Sequence, residues 1–305
     1  MILTDAVTDK SDDPVAGDAM VATAVLRPRR PSLFGWFRDP FLCFAFVTLV
    51  CIIAIACAAD LMYPTDPLDM VALPLLWPGQ DMNYPLGTDA LGRDLAAGIV
   101  HGARVSLLVG FFAALIGLVI GTTVGALAGY FGGIVDNVLV RLTELFQTIP
   151  AILLVIVILA IGDPSVFLIV LSIGLASWPM IARLARSQFM ALREADFVMA
   201  ARGLGYGTPR IIIQEILPNV LPTIVVATSV LVANGILAEA SLSFLNLSDP
   251  NRVSWGSLIG NGRTMLRDEW YLAAIPGMAI VLTVLSINII GDRLTDILNP
   301  RSSPQ

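Results

Sequence analysis

Long apolar segments constrain this chain more than any other feature of its sequence. Each is long enough, at about 1.5 Å of helix rise per residue, to cross a hydrocarbon layer about 30 Å thick. Inside such a layer the backbone polar groups must bond within their own segment, which favours α-helices. We therefore predict an all-α membrane protein with six transmembrane helices. The predicted spans are about Phe41–Ala59, Val105–Tyr130, Val138–Ile161, Val166–Ala182, Val220–Leu245 and Leu272–Ile290.

Composition and domain layout agree with this prediction. The chain is 56% hydrophobic and 14% charged, whereas soluble domains carry about 25% charged residues. Residues 1–39 are polar, acidic at first and then basic, and we expect a partly disordered cytoplasmic tail. Residues 40–295 form the membrane domain, with a core at 100–292, and residues 296–305 form a second cytoplasmic tail. Polar loops are expected at Tyr63–Ala103 and Asn246–Trp270.

Arginine placement predicts the orientation of the spans. Short cytoplasmic loops carry an excess of Lys and Arg, and with the N-terminus inside, the arginines divide by about two to one in favour of the cytoplasm. Both ends of the chain are then cytoplasmic. The inside group is Arg27, Arg29, Arg30, Arg38, Arg183, Arg186, Arg193, Arg202, Arg210, Arg293 and Arg301, with Arg141 at a helix start, and the outside group is Arg93, Arg104, Arg252, Arg263 and Arg267.

The sequence lacks the residue patterns of metal sites, nucleic-acid-binding surfaces and ATP-binding loops. Cys43, Cys51 and Cys57 share one apolar segment without metal-type spacing, and His101 is the one histidine. The sequence has no basic stripe with interleaved aromatic residues, so we do not expect nucleic acid as a partner. No G-x-x-x-x-G-K-[ST] phosphate loop occurs. We therefore expect no metal site, cofactor or catalytic cluster in this chain, and any ATPase must be a separate chain.

Two groups of residues within the spans attract attention. Glycines recur every fourth residue at Gly117, Gly121, Gly125 and Gly129, which is typical of close helix packing, although a smooth pore-lining face is the alternative. Glu144 has a helical partner in Arg141, whereas Glu239 has no local partner. Buried carboxyl groups in membranes are functional candidates, so Glu239 is a candidate for a translocation pathway. Ser241 and Trp178 are further candidates for that pathway. The alternative is that Glu239 meets water near the outer end of its span.

A polar interruption at Leu192–Pro222 separates the fourth and fifth spans. It predicts a short amphipathic helix over Glu194–Leu204, with acidic residues in the first turn and Arg202 in the last. Phe197, Ala201 and Leu204 share one face. The small residues of this helix favour docking into a protein groove, and the alternative is a helix lying on lipid headgroups. Gly203, Gly205 and Gly207 end it, Thr208 and Pro209 begin the next helix, and Pro218 and Pro222 limit straight continuation.

This interruption resembles a known motif. Met199-Ala200-Ala201-x-x-x-Gly205, followed after nine residues by Glu215-x-Leu217-Pro218, is similar to the cytoplasmic "EAA" loop of permease subunits of binding-protein-dependent ABC importers. Met199 and Glu215 depart from the usual pattern. The resemblance implies a type I permease fold in which this helix couples to an ATPase. The implied coupling residues are Glu194, Asp196, Phe197, Ala200, Ala201, Arg202, Gly203, Leu204, Gly205, Leu217 and Pro218.

Further stretches resemble the dipeptide/oligopeptide/nickel permease family, second-subunit "C" type. They are PLGTDALGRDLAAGIVHGARVSL (85–107), YFGGIVDNVLVRLTELFQTIP (130–150), ASLSFLNL (240–247) and SWGSLIGNGR (254–263). The resemblance implies a bacterial inner-membrane heterodimer with a similar permease, two cytoplasmic ATPases that hold ATP and Mg²⁺, and an external solute-binding protein. It implies uptake of di- and oligopeptides, with nickel, glutathione or opines as alternative cargoes. A secondary carrier is the alternative from another class.

Overall fold

The structure is a computed structural model that describes residues 39–298, with the side chains of 296–298 excepted. The two predicted tails lie almost entirely outside these residues. The described secondary structure is helical apart from three isolated β-bridges, which confirms the all-α prediction. The helices are α1 Pro40–Cys57, α2 Ala59–Met62, α3 Leu95–Phe131, α4 Gly133–Thr148, α5 Ala151–Ile161, α6 Val166–Leu192, α7 Asp196–Gly203, α8 Thr208–Arg210, α9 Leu217–Phe244, α10 Trp255–Gly262 and α11 Tyr271–Leu298.

The third predicted span is not one straight helix. Five spans are long and apolar enough to cross a membrane, and the pair α4–α5, bent by 82°, supplies the sixth. The bend falls at Ile149 and Pro150, because proline has no N–H to donate and disfavours helical geometry in the residue before it. Ile149 is accordingly extended, with φ −88° and ψ 126°.

Several helices extend beyond the predicted spans. The second span was predicted from Val105, but α3 starts at Leu95, where the Asp94 side chain accepts from the Ala96 N–H at 2.9 Å. The charged residue that obscured this start in the sequence, Arg104, has a partner in α2. Arg104 forms an ion pair with Asp60 at 3.1 Å and holds the pKa of the Asp60 carboxyl below its usual range. Likewise, α6 continues to Leu192, well past the predicted end at Ala182.

The glycines of α3 lie directly against α6. A Cβ added at Gly121, Gly125 or Gly129 would come within 2.4–2.6 Å of a carbonyl oxygen of α6. Larger side chains would therefore force the two backbones apart. This pair forms the centre of the bundle, with α9 packed against both helices.

The second polar loop contains an unpredicted helix, α10. Ser254 caps it by accepting from the Ser257 N–H at 3.1 Å, and the Ser257 hydroxyl accepts from the Ser254 N–H at 2.9 Å. Three glycines in eight residues obscured the helical pattern in the sequence, because glycine is a poor helix former. The same glycines let α10 pack closely between α9 and α11.

Candidate functional site

The short helix α7 joins α6 to the segment leading into α9. Its buried side is formed by Val198, which is fully buried, and Ala201, which is 6% exposed. The predicted face of Phe197, Ala201 and Leu204 is therefore wrong. Leu204 lies past the end of the helix and is 75% exposed, so it does not continue the buried face. Ala201 packs inward, leaving Phe197, Met199, Ala200 and Arg202 on the exposed side.

The charged residues of α7 are placed as the helix dipole favours. Asp196 lies in the first turn and Arg202 in the last. The Arg202 guanidinium lies 5.6 Å from the centre of the Tyr130 ring at the end of α3. Glu194 lies before the helix rather than in its first turn, and it pairs with Arg193 at 2.9 Å.

Glycine ends α7 in the predicted way. Gly203 is its last residue, and Gly205 has φ +81°, a left-handed conformation. The Tyr206 N–H then donates back to the Ala201 carbonyl at 3.1 Å, which satisfies a carbonyl at the helix end. The next helix is capped at Gly207 rather than at the predicted Thr208, with Pro209 in its first turn.

Prolines do not stop this next helix. Ile211–Ile216 forms a π-helical turn that runs directly into α9, where Leu217 and Pro218 lie in the first turn. The Leu217 N–H bonds to the Ile212 carbonyl five residues back. A wider turn accommodates the missing donor of Pro218 without breaking the helix. Thr208–Phe244 consequently behaves as one long span.

A cavity of about 500 Å³ lies beside the break between α4 and α5. Its walls come from α4, α5, α6 and α9, and most of its lining is apolar. Four neutral polar side chains interrupt that lining, namely Gln147, Ser177, Asn234 and Ser241. Only Ser241 among these was selected from the sequence. The sequence does not distinguish the other three, because single amides and hydroxyls are common in spans, although Pro150 and Pro179 beside them indicate irregular helices.

The three predicted pathway residues take different positions. Ser241 lines the cavity. Trp178 is 3% exposed and lies behind the cavity wall, where its ring packs edge-to-face on Phe146 at 5.2 Å. Glu239 is 1% exposed and faces away from the cavity, towards α3 and α10. The alternative that Glu239 meets water near the outer end of its span is therefore wrong in this structure.

Helix α7 packs on α6 and α9, and the same two helices line the cavity. α6 supplies Ser177 and Met180 to the cavity wall, and α9 supplies Asn234 and Ser241. α7 follows α6 directly and reaches α9 through α8 and the π turn. Short segments, 193–195 and 204–207, thus link α7 to the helices of both walls.

Relatives of known type match this chain over most of its length. Residues 121–304 match the family described as the binding-protein-dependent transport system inner membrane component. The di/tripeptide transport system permease protein DppC of Pseudomonas aeruginosa is 34% identical over 83% of this chain and 86% of its own length. The oligopeptide transport system permease protein OppC of Escherichia coli is 41% identical over 73% of this chain and 74% of its own length.

Solved structures give the same fold. A chain of the MetNI methionine ABC transporter, solved in inward-facing conformations, superposes with a TM-score of 0.56 at 20% identity. The match covers 66% of this chain and 96% of that one. A second crystal form gives a TM-score of 0.55 at 22% identity. The helical fold and the sequence matches together place this chain in the family of binding-protein-dependent transport system inner membrane components, as a multi-pass membrane permease.

Proposed function

We propose that this chain forms half of the translocation pathway of an ATP-driven importer of short peptides, with α7 as the helix that docks into an ATPase subunit. The observation that carries the proposal is the place of α7 in the chain between α6 and α9, the two helices that line the cavity with Ser177, Asn234 and Ser241. Closure of the ATPases on ATP would move α7, and α6 and α9 would carry that movement to the cavity.

The chemistry of the cavity supports a peptide cargo. Gln147 and Asn234 present amide groups that can both donate and accept, and Ser177 and Ser241 add hydroxyls. A peptide main chain needs these same donors and acceptors whatever its side chains are. The apolar remainder of the wall suits varied side chains. Similar permeases of Pseudomonas aeruginosa and Escherichia coli are named for di/tripeptide and oligopeptide transport.

The exposed surface supports a second permease as a partner. α4 and α5 present large apolar side chains beside the open cavity, including Leu145 (62% exposed), Leu153 (52%) and Val157 (56%). A similar permease on this face would complete the pathway as a heterodimer. The other partners are two ATPases, which hold ATP and Mg²⁺, and an extracytoplasmic solute-binding protein. The arginine distribution supports cytoplasmic ends and a cytoplasmic α7.

The transport cycle follows from these parts by alternating access. ATP binding draws the two docked coupling helices together, and the paired permeases open outward to receive cargo from the binding protein. Hydrolysis restores the inward-facing state. The bend at Ile149–Pro150 lies in the cavity wall, and a broken helix of this kind can change its angle with little loss of hydrogen bonds.

Uptake by cells that lack this chain tests the cargo. Cells complemented with the intact gene should take up labelled trialanine, whereas the deletion strain should not. Uptake of ⁶³Ni²⁺ should be equal in the two strains. The reverse pattern, with gene-dependent nickel uptake and gene-independent trialanine uptake, would contradict the peptide assignment while leaving the importer class in place. Labelled glutathione and octopine test the other two alternatives in the same strains.

A further inference from the structure

A buried carboxyl group lies at the junction of three helices. Glu239, in α9, is 1% exposed, and both of its carboxyl oxygens accept hydrogen bonds. Ser106 of α3 donates at 3.1 Å and Ser243 of α9 donates at 2.6 Å. An intramembrane carboxyl group is unfavourable without such donors. Its position is therefore held by two hydroxyl groups on two different helices.

Hydrogen bonds connect both serines to the N-terminus of α10. The Trp255 N–H donates to the Ser106 hydroxyl at 3.3 Å. The Ser257 N–H donates to the Ser254 hydroxyl at 3.1 Å, and that hydroxyl donates to Ser243 at 3.3 Å. Two chains of hydrogen bonds thus start at backbone N–H groups of the α10 N-terminus and end on Glu239. Their polarity matches the positive end of the helix dipole.

Close backbone contacts surround this network. A Cβ added at Gly102 of α3 would lie 3.2 Å from the Trp255 nitrogen, and one at Gly256 of α10 would lie 2.5 Å from the Ala240 Cα. The Trp255 indole N–H also donates to the Ile99 carbonyl of α3 at 2.9 Å. Helices packed this closely have little room to slide past one another.

An adjacent side of α9 lines the cavity. Ala238, Ser241 and Leu242 belong to the cavity wall, although they alternate in sequence with the residues of the network. Whatever fixes the rotation of α9 near Glu239 therefore fixes which side chains face the cargo. Buried polar networks with every member satisfied hold one arrangement more strictly than apolar packing does.

We propose that Glu239 is a positioning residue that clamps α3, α9 and α10 into one rigid unit, which moves without internal rearrangement during transport. The proposal rests on the alternating-access cycle above. It places the flexible part of the molecule elsewhere, at the α4–α5 bend. Glu239 then does not contact the cargo.

Disulfide trapping tests whether the unit stays rigid. A Cβ at Gly98 of α3 would lie 3.1 Å from a Cδ atom of Leu258 in α10, so Gly98→Cys with Leu258→Cys removes the crowding and sets two thiols together. The three natural cysteines, Cys43, Cys51 and Cys57, are replaced by alanine. The assembled complex is oxidised with copper phenanthroline, without nucleotide and after ATP–vanadate trapping. We expect the same disulfide formation rate, within twofold, in both states.

A separate probe shows that the cycle occurs in the same preparation. Met180→Cys, an exposed position on the cavity wall, should change its maleimide labelling rate at least threefold between the two states. If Met180→Cys changes and the disulfide rate falls more than fivefold on trapping, α10 separates from α3 and the clamp is refuted. If Met180→Cys does not change, alternating access at this cavity fails instead, and the clamp, which requires that cycle, fails with it.

Substitutions test the role of Glu239 itself. Glu239→Leu leaves the serine donors without their acceptor, and Ser254→Ala removes one arm while keeping the carboxyl group. Each should lower the Gly98→Cys/Leu258→Cys disulfide rate at least threefold. The control is Ser172→Ala, a fully buried serine that bonds within its own helix to Leu168, and it should leave the rate unchanged. Disulfide rates equal to that of the parent Gly98→Cys/Leu258→Cys protein in both variants would overturn the assignment of Glu239. If Glu239→Leu does not assemble, an unchanged rate in Ser254→Ala alone would overturn it.

Discussion

Gly205 lies in the loop after α7, the helix that we propose docks into an ATPase subunit. It has φ +81°, whereas Gly203, two residues earlier, has no such angle. An added Cβ meets no atom within 4 Å at either position. Substitution of the two glycines therefore isolates conformational strain from steric crowding. An L-residue in the left-handed region costs about 1–2 kcal/mol.

We predict that Gly205→Ala weakens docking of the ATPase while Gly203→Ala does not. A strain of about 1 kcal/mol corresponds to a change of about fivefold in an equilibrium. Co-purification of the ATPase with a tagged permease, titrated over ATPase concentration, measures the apparent Kd. An equal Kd for both variants would show that the loop after α7 has no part in docking.

Residue-level predictions from the sequence succeeded where the partner is local. Gly205 ends a helix within its own turn, and Arg141 reaches Glu144 three residues away, at 3.1 Å. The partners of Glu239 could not be predicted, because Ser106 is 133 residues away along the chain and reaches it only through the packing of α3 on α9.

At the scale of elements, α7 presents one face to the protein and the other to solvent. We predict that Ala200→Trp, on the exposed face, lowers ATPase co-purification at least tenfold, because a large side chain cannot enter a groove fitted to a small one. Ala191→Trp, an exposed alanine of α6 before α7, is the matched control and should retain the ATPase. Retention by both variants would favour a helix that lies on lipid headgroups.

The helix α4 is attached to α6 by a partly buried ion pair. Arg186 binds Asp136 through two hydrogen bonds of 2.5 and 2.7 Å, and the two side chains are 32% and 15% exposed. The Arg141–Glu144 pair on the same helix is far more exposed, at 84% and 55%. Burial reduces solvent screening, so the first pair should contribute more to stability.

We predict that Asp136→Asn lowers the free energy of unfolding by about 1.5–3 kcal/mol, the range for hydrogen bonds to charged groups. Glu144→Gln should change it by less than about 1 kcal/mol, as for exposed pairs. Thermal unfolding in detergent, followed by tryptophan fluorescence, gives the two midpoints. A larger effect from Glu144→Gln would contradict the role assigned to the Asp136–Arg186 pair.

Element types could be predicted from the sequence better than their ends and bends. Long apolar runs indicated the spans, but α3 and α6 continue past their apolar parts with arginines such as Arg104 and Arg186 satisfied by acidic partners. The sequence shows Pro150, where the bend falls, but periodicity does not give the angle of 82° between α4 and α5. The glycines of α10 obscure its helical pattern in the sequence, and only its capping serines, Ser254 and Ser257, indicate that a helix begins there.

For the whole molecule, the orientation in the membrane is the first property to measure. We predict that a cysteine at Met82, which is 99% exposed in the loop before α3, reacts with a membrane-impermeant maleimide in intact spheroplasts. A cysteine at Leu204, 75% exposed beside α7, should react only after permeabilisation. Both are placed in a background without natural cysteines. The reversed pattern would place α7 outside and exclude ATPase docking there.

We propose that this chain turns ATP hydrolysis by partner subunits into inward transport. Proteoliposomes that contain both permeases and both ATPases, with the solute-binding protein at the face opposite the ATPases, provide the most direct test. We predict that labelled trialanine accumulates on the ATPase side only when ATP is present on that side, and that Ala200→Trp in this chain abolishes the accumulation. Equal accumulation without ATPases, driven by an ion gradient, would refute ATP-driven import and identify a secondary carrier.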